Sequence, residues 1–212
     1  IHCDYCHKVG GVYLDPATQS VYPNAPGAQS QRMLRPPPGD NIFFGPYDDI
    51  HDPDTYLPVI SESAFCAPCH QFSFWGTPIY ESFSEWQDSA YAEQGVQCQD
   101  CHMPEPAAGY ATAISLLPSN APSRTPYGQH TLIGGNAHLL EILRDYRSEL
   151  GISGSTSVAG FEDQIALTRD FLGSAAAVAV SAPQQAGSNL EFDVSVTNNA
   201  GHKLPSSYPS RR

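Results

Sequence analysis

The sequence predicts a mostly irregular and α-helical domain with little regular structure over residues 1–172. The opening strands of an incomplete, β-sandwich-like domain follow over residues 173–212. Three observations predict this. Nineteen prolines and 17 glycines in 212 residues favour turns and extended segments over long regular elements. All six cysteines fall in one short motif that occurs three times. The C-terminal stretch switches to strand-like alternation. Only 15% of residues are charged, too few for a disordered polymer, yet two methionines and two tryptophans leave little packing material. Something other than side chains is therefore expected to help fill the core.

In chain order, residues 1 to about 60 read as the first motif and then a long Pro-rich irregular stretch. Within it, Arg35-Pro36-Pro37-Pro38-Gly39-Asp40 has the character of an extended loop that needs a surface to lie against. Residues 61–105 carry the second and third motifs. Between them Ser82-Phe83-Ser84-Glu85 reads as a capping box, opening a helix through Trp86 and Tyr91 that ends near Gly95. Asn136 reads as the cap of a helix with Leu139, Leu143, Tyr146 and Leu150 on one buried stripe. A second helix is expected from Phe161 to Leu172, with Ile165 and Leu172 inward. Ala175 to Ala182 reads as a strand. Leu190, Phe192, Val194 and Val196 alternate with Glu191, Asp193, Ser195 and Thr197, the pattern of a half-buried strand. Two strands do not stand alone in water, so they read as the start of a larger β-domain.

The cysteines lie in Cys3-Asp4-Tyr5-Cys6-His7, Cys66-Ala67-Pro68-Cys69-His70 and Cys98-Gln99-Asp100-Cys101-His102. Each is C-x-x-C-H, the signature of covalent haem c attachment. Two thiols must reach two vinyl groups of one porphyrin, and the next histidine supplies the proximal iron ligand. Structural disulfides need no histidine after every second cysteine. Zinc ribbons use such pairs two per metal, which leaves one of three unmatched. A thioredoxin-like pair occurs once, near a βαβ pattern. The expectation is at least three haems, held through Cys3, Cys6, Cys66, Cys69, Cys98 and Cys101, with His7, His70 and His102 as proximal ligands.

Five histidines remain. Three haems with two imidazoles each need six in all, and eight are present. His202 lies in Asn199-Ala200-Gly201-His202-Lys203-Leu204-Pro205, at a strand-to-loop transition. His130 and His138 flank a Gly-Gly turn that lets their rings face different haems. His51 lies in a loop upstream of the second motif. These four are candidate distal ligands. His2 abuts the first motif, too close in sequence to reach its own iron from the opposite face, and is a weak candidate for a neighbouring haem. Met33 and Met103 are further axial possibilities in principle, but Met103 is locked beside His102. The surplus suggests a further haem, bound outside this chain or by another subunit.

A formal net charge of −12 argues against nucleic acid or an anionic membrane surface as the main partner. Haem propionates add to that sign, which suits a basic or metallic electron partner. No apolar run approaches the roughly 20 residues of a bilayer span. No signal peptide is visible, and the chain, opening on Ile1 and closing on Ser210-Arg211-Arg212, reads as a processed or truncated piece. Haem c is attached outside the cytoplasmic face in bacteria and archaea, so a periplasmic or extracellular location follows from the cofactor.

Phe65-Cys66-Ala67-Pro68-Cys69-His70-Gln71, Gly95-Val96-Gln97-Cys98-Gln99-Asp100-Cys101-His102-Met103-Pro104 with Trp86 upstream, and Asn199-Ala200-Gly201-His202-Lys203-Leu204-Pro205 go beyond the haem motif itself. In them the chain resembles the multihaem c-type cytochromes of metal- and sulfur-respiring bacteria. The resemblance implies electron transfer through closely stacked bis-histidine haems, with His202, and His130 or His138, as distal ligands. It also implies redox partner proteins or further haem-bearing subunits, and a homo-oligomer or larger complex is compatible with it. Two alternatives compete with the electron carrier. A multihaem oxidoreductase acting on a small nitrogen or sulfur compound needs an open position on one iron. A structural subunit of a cytochrome filament or complex would use spare histidines between chains.

Overall fold

The computed structural model describes residues 3–35, 37–38, 43–47, 55–105, 112–113, 123–124, 127–154 and 156–206. His2, His51 and part of the Pro-rich loop (Pro36, Gly39 and Asp40) lie outside them. The expectation of a mostly irregular and helical chain with little regular structure does not hold. Among the described residues about a third are helical and about a fifth lie in strands, which form five two-stranded antiparallel sheets.

The first motif is a helical turn, α1 (Cys3–Cys6), that runs into β1 (Val9–Val12). β1 pairs with β2 (Gln31–Met33). Short 3-10 turns at Gly27–Ser30, Pro58–Ser61 and Ser63–Phe65 lead to the second motif helix, α2 (Ala67–His70). The hairpin of β3 (Gln71–Phe74) and β4 (Thr77–Glu81) follows. Next come α3 (Ser82–Gln87), α4 (Ala90–Glu93) and the third motif helix, α5 (Cys98–His102). A small pair, β5 (Thr112–Ala113) with β6 (Ser123–Arg124), precedes the two longer helices, α6 (Ala137–Asp145) and α7 (Val158–Ser174). At the end, β7 (Ala176–Val180) pairs with β10 (Val194–Asn198), and β8 (Gln184–Ala186) with β9 (Asn189–Glu191).

Glycine and proline punctuate short paired elements here rather than dissolving them. Trp75 and Gly76, at φ 49° and 77°, occupy two consecutive left-handed positions between Phe74 and Thr77. Such a two-residue turn matches the twist of a hairpin. In β1 a Cβ on Gly10 would come within 2.5 Å of Leu34 Cδ1, so the bare backbone lets the strand close on its neighbour.

Other expectations also change. Ser82 lies inside α3, and the residue at the cap is Glu81, whose side chain makes no capping bond. The single helix expected through Tyr91 is broken in two, because the Ser89 hydroxyl accepts from Ala92 N and starts α4 afresh. Asn136 caps α6 as expected, accepting from Leu139 N at 2.8 Å. The stripe below it is not buried: Leu139, Tyr146 and Leu150 are about half exposed. α7 buries Phe161, Ile165 and Thr168 but leaves Leu172 exposed. The strand expected over 190–196 breaks at Phe192 and Asp193. Leu190, Phe192, Val194 and Val196 are 55–67% exposed, because β10 pairs with β7 alone and no second layer covers it among the described residues. No β-sandwich is formed among those residues.

The buried apolar side chains among the described residues are nine: Val9, Val21, Phe44, Ala67, Pro68, Phe83, Ile133, Phe161 and Ile165. Val21, Ala67 and Phe83 form one cluster, with Leu14, Ala64 and Trp86 packed against it. This core sits between the first hairpin, the second motif and α3. No described helix is long and apolar enough to cross a membrane.

Candidate functional site

Each motif folds as one helical turn, and the reason is local. His7 N donates to Cys3 O at 3.0 Å, Cys69 N and His70 N both donate to Cys66 O at 3.1 Å, and Met103 N donates to Gln99 O at 2.7 Å. Residues i and i+3 of a helical turn share a face, so the two thiols of each motif emerge together with the histidine beside them. α5 has a true capping box, Gln97 with Asp100, in which Asp100 Oδ2 accepts from Gln97 N at 2.7 Å.

Motifs distant in sequence are brought together. Fully buried Ser63 donates from its N and Oγ to Gln97 Oε1, at 2.8 and 2.9 Å, and its Oγ accepts from Cys98 N at 2.9 Å. Gln99 Nε2 donates to Ile60 O and Glu62 O, both at 2.8 Å. The third motif is thereby docked on the turns that precede the second. Proximity of the Cys98 thiol, then burial, pushes the Cys66 thiol well above its ordinary range. Proximity of Cys66 lowers the Cys98 thiol to about 7 against the pull of burial. Burial raises the Cys69 thiol, and the Cys6 thiol raises it a little further. All six cysteines are free thiols, with Cys3, Cys69 and Cys101 exposed.

The histidines form two pairs. His102 and His202 have ring centroids 6.3 Å apart and ring planes 17° from parallel. His7 and His130 have centroids 6.1 Å apart and planes 35° apart. In both motif rings Nδ1 is engaged by backbone: His7 Nδ1 donates to Phe44 O at 2.6 Å and His102 Nδ1 to Ile133 O at 2.5 Å. His202 Nδ1 lies 3.2 Å from Lys203 O. A ring that donates from Nδ1 keeps the Nε2 lone pair for a metal, the arrangement that fixes tautomer and orientation in metal-binding histidines. His70 closes α2 and is exposed. His138 stands in the first turn of α6 with its side chain 81% exposed, its Nδ1 3.5 Å from Glu141 Oε2. Of the four expected distal ligands, His130 and His202 are brought to a motif histidine, His138 faces outward beside Glu141, and His51 lies outside the described residues.

The fit to haem c rests on these donors. Two nitrogen–metal bonds of about 2 Å each, plus the half-width of each five-membered ring, bring opposed imidazole centroids to roughly 6 Å. The observed pairs are 6.1 and 6.3 Å apart, and each contains one motif histidine. Among the described residues no group of three or more His, Cys, Asp and Glu side chains is arranged to hold a bare metal ion. A pair of imidazoles suits a metal whose remaining positions a macrocycle fills. Sequence reasoning missed the second-motif-to-third-motif docking through Ser63 and Gln97, for which the sequence carried no signal beyond two polar residues beside the motifs.

No family model matches the chain, and no curated protein or solved structure matches it either.

Proposed function

We propose that the chain carries electrons through at least three closely packed, covalently attached c-type haems. Cys3 and Cys6, Cys66 and Cys69, and Cys98 and Cys101 would form the thioethers. His7, His70 and His102 would be proximal ligands, with His130 opposite His7 and His202 opposite His102. When bound, haem supplies a one-electron iron couple whose potential depends on axial ligands, burial and nearby charge. The chain's own work is to hold the imidazoles, orient them through backbone carbonyls, and fix the motifs close together. The observation that carries this reading is the pairing of His102 with His202 and of His7 with His130 at axial-ligand spacing.

Two further features support it. Exposed apolar residues such as Leu139, Tyr146, Leu150 and Leu172 are the surface expected if porphyrins, rather than side chains, complete the packing. The docking of the third motif on the turns before the second, through Ser63, Gln97 and Gln99, supports close spacing of the second and third haems. Electron transfer asks for six-coordinate iron, whereas catalysis on a small nitrogen or sulfur compound asks for an open position. Two histidines per iron at two sites favour the first. A periplasmic or extracellular location and a redox partner protein belong to the same proposal. The test is the electron paramagnetic resonance spectrum of the oxidised chain: low-spin signals at the two paired irons are expected, and high-spin iron at either of them would overturn the ligand assignment.

A further inference from the structure

His202 is held by a strap that follows β10, and the strap is fastened to the helices between the second and third motifs. Tyr91 Oη donates to Asn199 O at 2.7 Å, and Asn198 Nδ2 donates to His202 O at 2.8 Å. A Cβ on Gly201 would sit 3.5 Å from Trp86 Cδ1 and 3.6 Å from Tyr91 Cδ2, ordinary contact distances, so the strap runs along both rings. Trp86 Nε1 donates in turn to Val96 O at 2.8 Å, beside the third motif. At the centre is Glu85, whose side chain is 9% exposed. Its Oε2 accepts from Lys203 N at 3.1 Å and from Ser206 Oγ at 2.8 Å, and Lys203 Nζ lies 3.7 Å from Oε1. Ser206, itself 1% exposed, lies 3.1 Å from Ser82 Oγ.

A buried carboxylate that accepts from the residue directly after His202 fixes where that imidazole can go. Charge-assisted bonds of this kind are among the stronger single contacts available to a loop. We infer that Glu85 is the positioning residue that keeps His202 opposite His102, so that a carboxylate remote from the metal decides whether this iron stays closed to outside ligands. The inference rests on the proposed function, since it needs a haem between the two rings.

The experiment compares Glu85→Ala, Glu85→Gln, His202→Ala and the Glu85→Ala/His202→Ala double variant as haem-loaded chains, with carbon monoxide binding to the reduced protein as the readout. His202→Ala is expected to open one iron per chain. Glu85→Ala is expected to open the same iron, and added imidazole to close it again. The double variant is expected to bind no more carbon monoxide than His202→Ala alone, since two changes at one device do not add. Glu85→Gln keeps an acceptor for Lys203 N and Ser206 Oγ and is expected to bind much less than Glu85→Ala. The inference is overturned if Glu85→Ala keeps its haem and binds no more carbon monoxide than the parent, or if the double variant opens a second iron. Should Glu85→Ala fail to load haem, Ser206→Ala takes its place: uptake above the parent is expected, and parental uptake overturns the inference. Failure of the functional reading is a different result, a parent chain without haem or a His202→Ala variant spectrally identical to the parent.

Discussion

An imidazole has two nitrogens, and the work of one decides what the other is free to do. His7 and His102 commit Nδ1 to the carbonyls of Phe44 and Ile133, residues far along the chain from either motif. The motif histidines are marked as candidate ligands by C-x-x-C-H alone, while these carbonyl partners carry no local signal, because they arrive through tertiary folding. If the proposed haems are held as described, His130→Ala and His202→Ala are each expected to convert one iron per chain from low to high spin, visible in the optical spectrum of the oxidised protein. His138→Ala leaves the spectrum of the isolated chain unchanged, since its ring projects into solvent beside Glu141. An unchanged spectrum after His130→Ala would contradict the first pairing. The thiols give a second prediction at this scale. In the chain before haem attachment, the neighbouring Cys66 thiol is expected to lower Cys98 to about 7, below the ordinary value of 9.0. Alkylation near neutral pH is therefore expected to mark Cys98 well before Cys66. Equal labelling would contradict the contact, and no labelling is expected once both thiols are thioethers.

At the scale of elements, local rules succeeded where nothing competed with them and failed where the fold had another use for the residue. Asn136 caps α6 as its identity suggests. Ser82 and Glu85 have the spacing of a capping box, yet Glu85 turns away to hold Lys203 and Ser206 and Ser82 meets Ser206. A local pattern lost to contacts more than a hundred residues away. The apolar stripe of α6 was legible as a stripe, but periodicity does not say what covers it. Likewise the Trp75-Gly76 turn lies between two short aromatic-bearing strands, and its signal is a single glycine. The element that joins these parts is α3. Phe83 is 3% exposed and lies against Trp86 with ring centroids 5.5 Å apart, linking the small core to the helices that hold the His202 strap. Phe83→Ala is expected to cost about 3–5 kcal/mol, the range for truncating a buried aromatic. A denaturation midpoint within error of the parent's would show that the cluster around Val21 and Ala67 does not bear on stability.

For the whole molecule, a small core stands beside a large exposed apolar surface among the described residues, a surface the proposed haems would cover. Nine buried apolar side chains are few for the number of residues described. The turn-rich composition pointed to that shortage and was misread only in its consequence, since the same glycines and prolines delimit paired strands rather than irregular loops. Charge acts at this scale too. With a formal net charge of −12, electron exchange with a cationic mediator is expected to be faster than with an anionic one of equal potential at low salt. The difference should shrink toward 1 M salt, where the screening length is about 3 Å. A stopped-flow comparison across ionic strengths checks it, and a rate ordering indifferent to salt would remove surface charge from partner choice. The most direct measurement of the central claim is the intact mass of the purified denatured chain, taken with its pyridine haemochrome spectrum. The account predicts the 22.9 kDa polypeptide plus at least three covalently retained haems with the spectrum of thioether-linked porphyrin. A colourless chain at the bare polypeptide mass would contradict it.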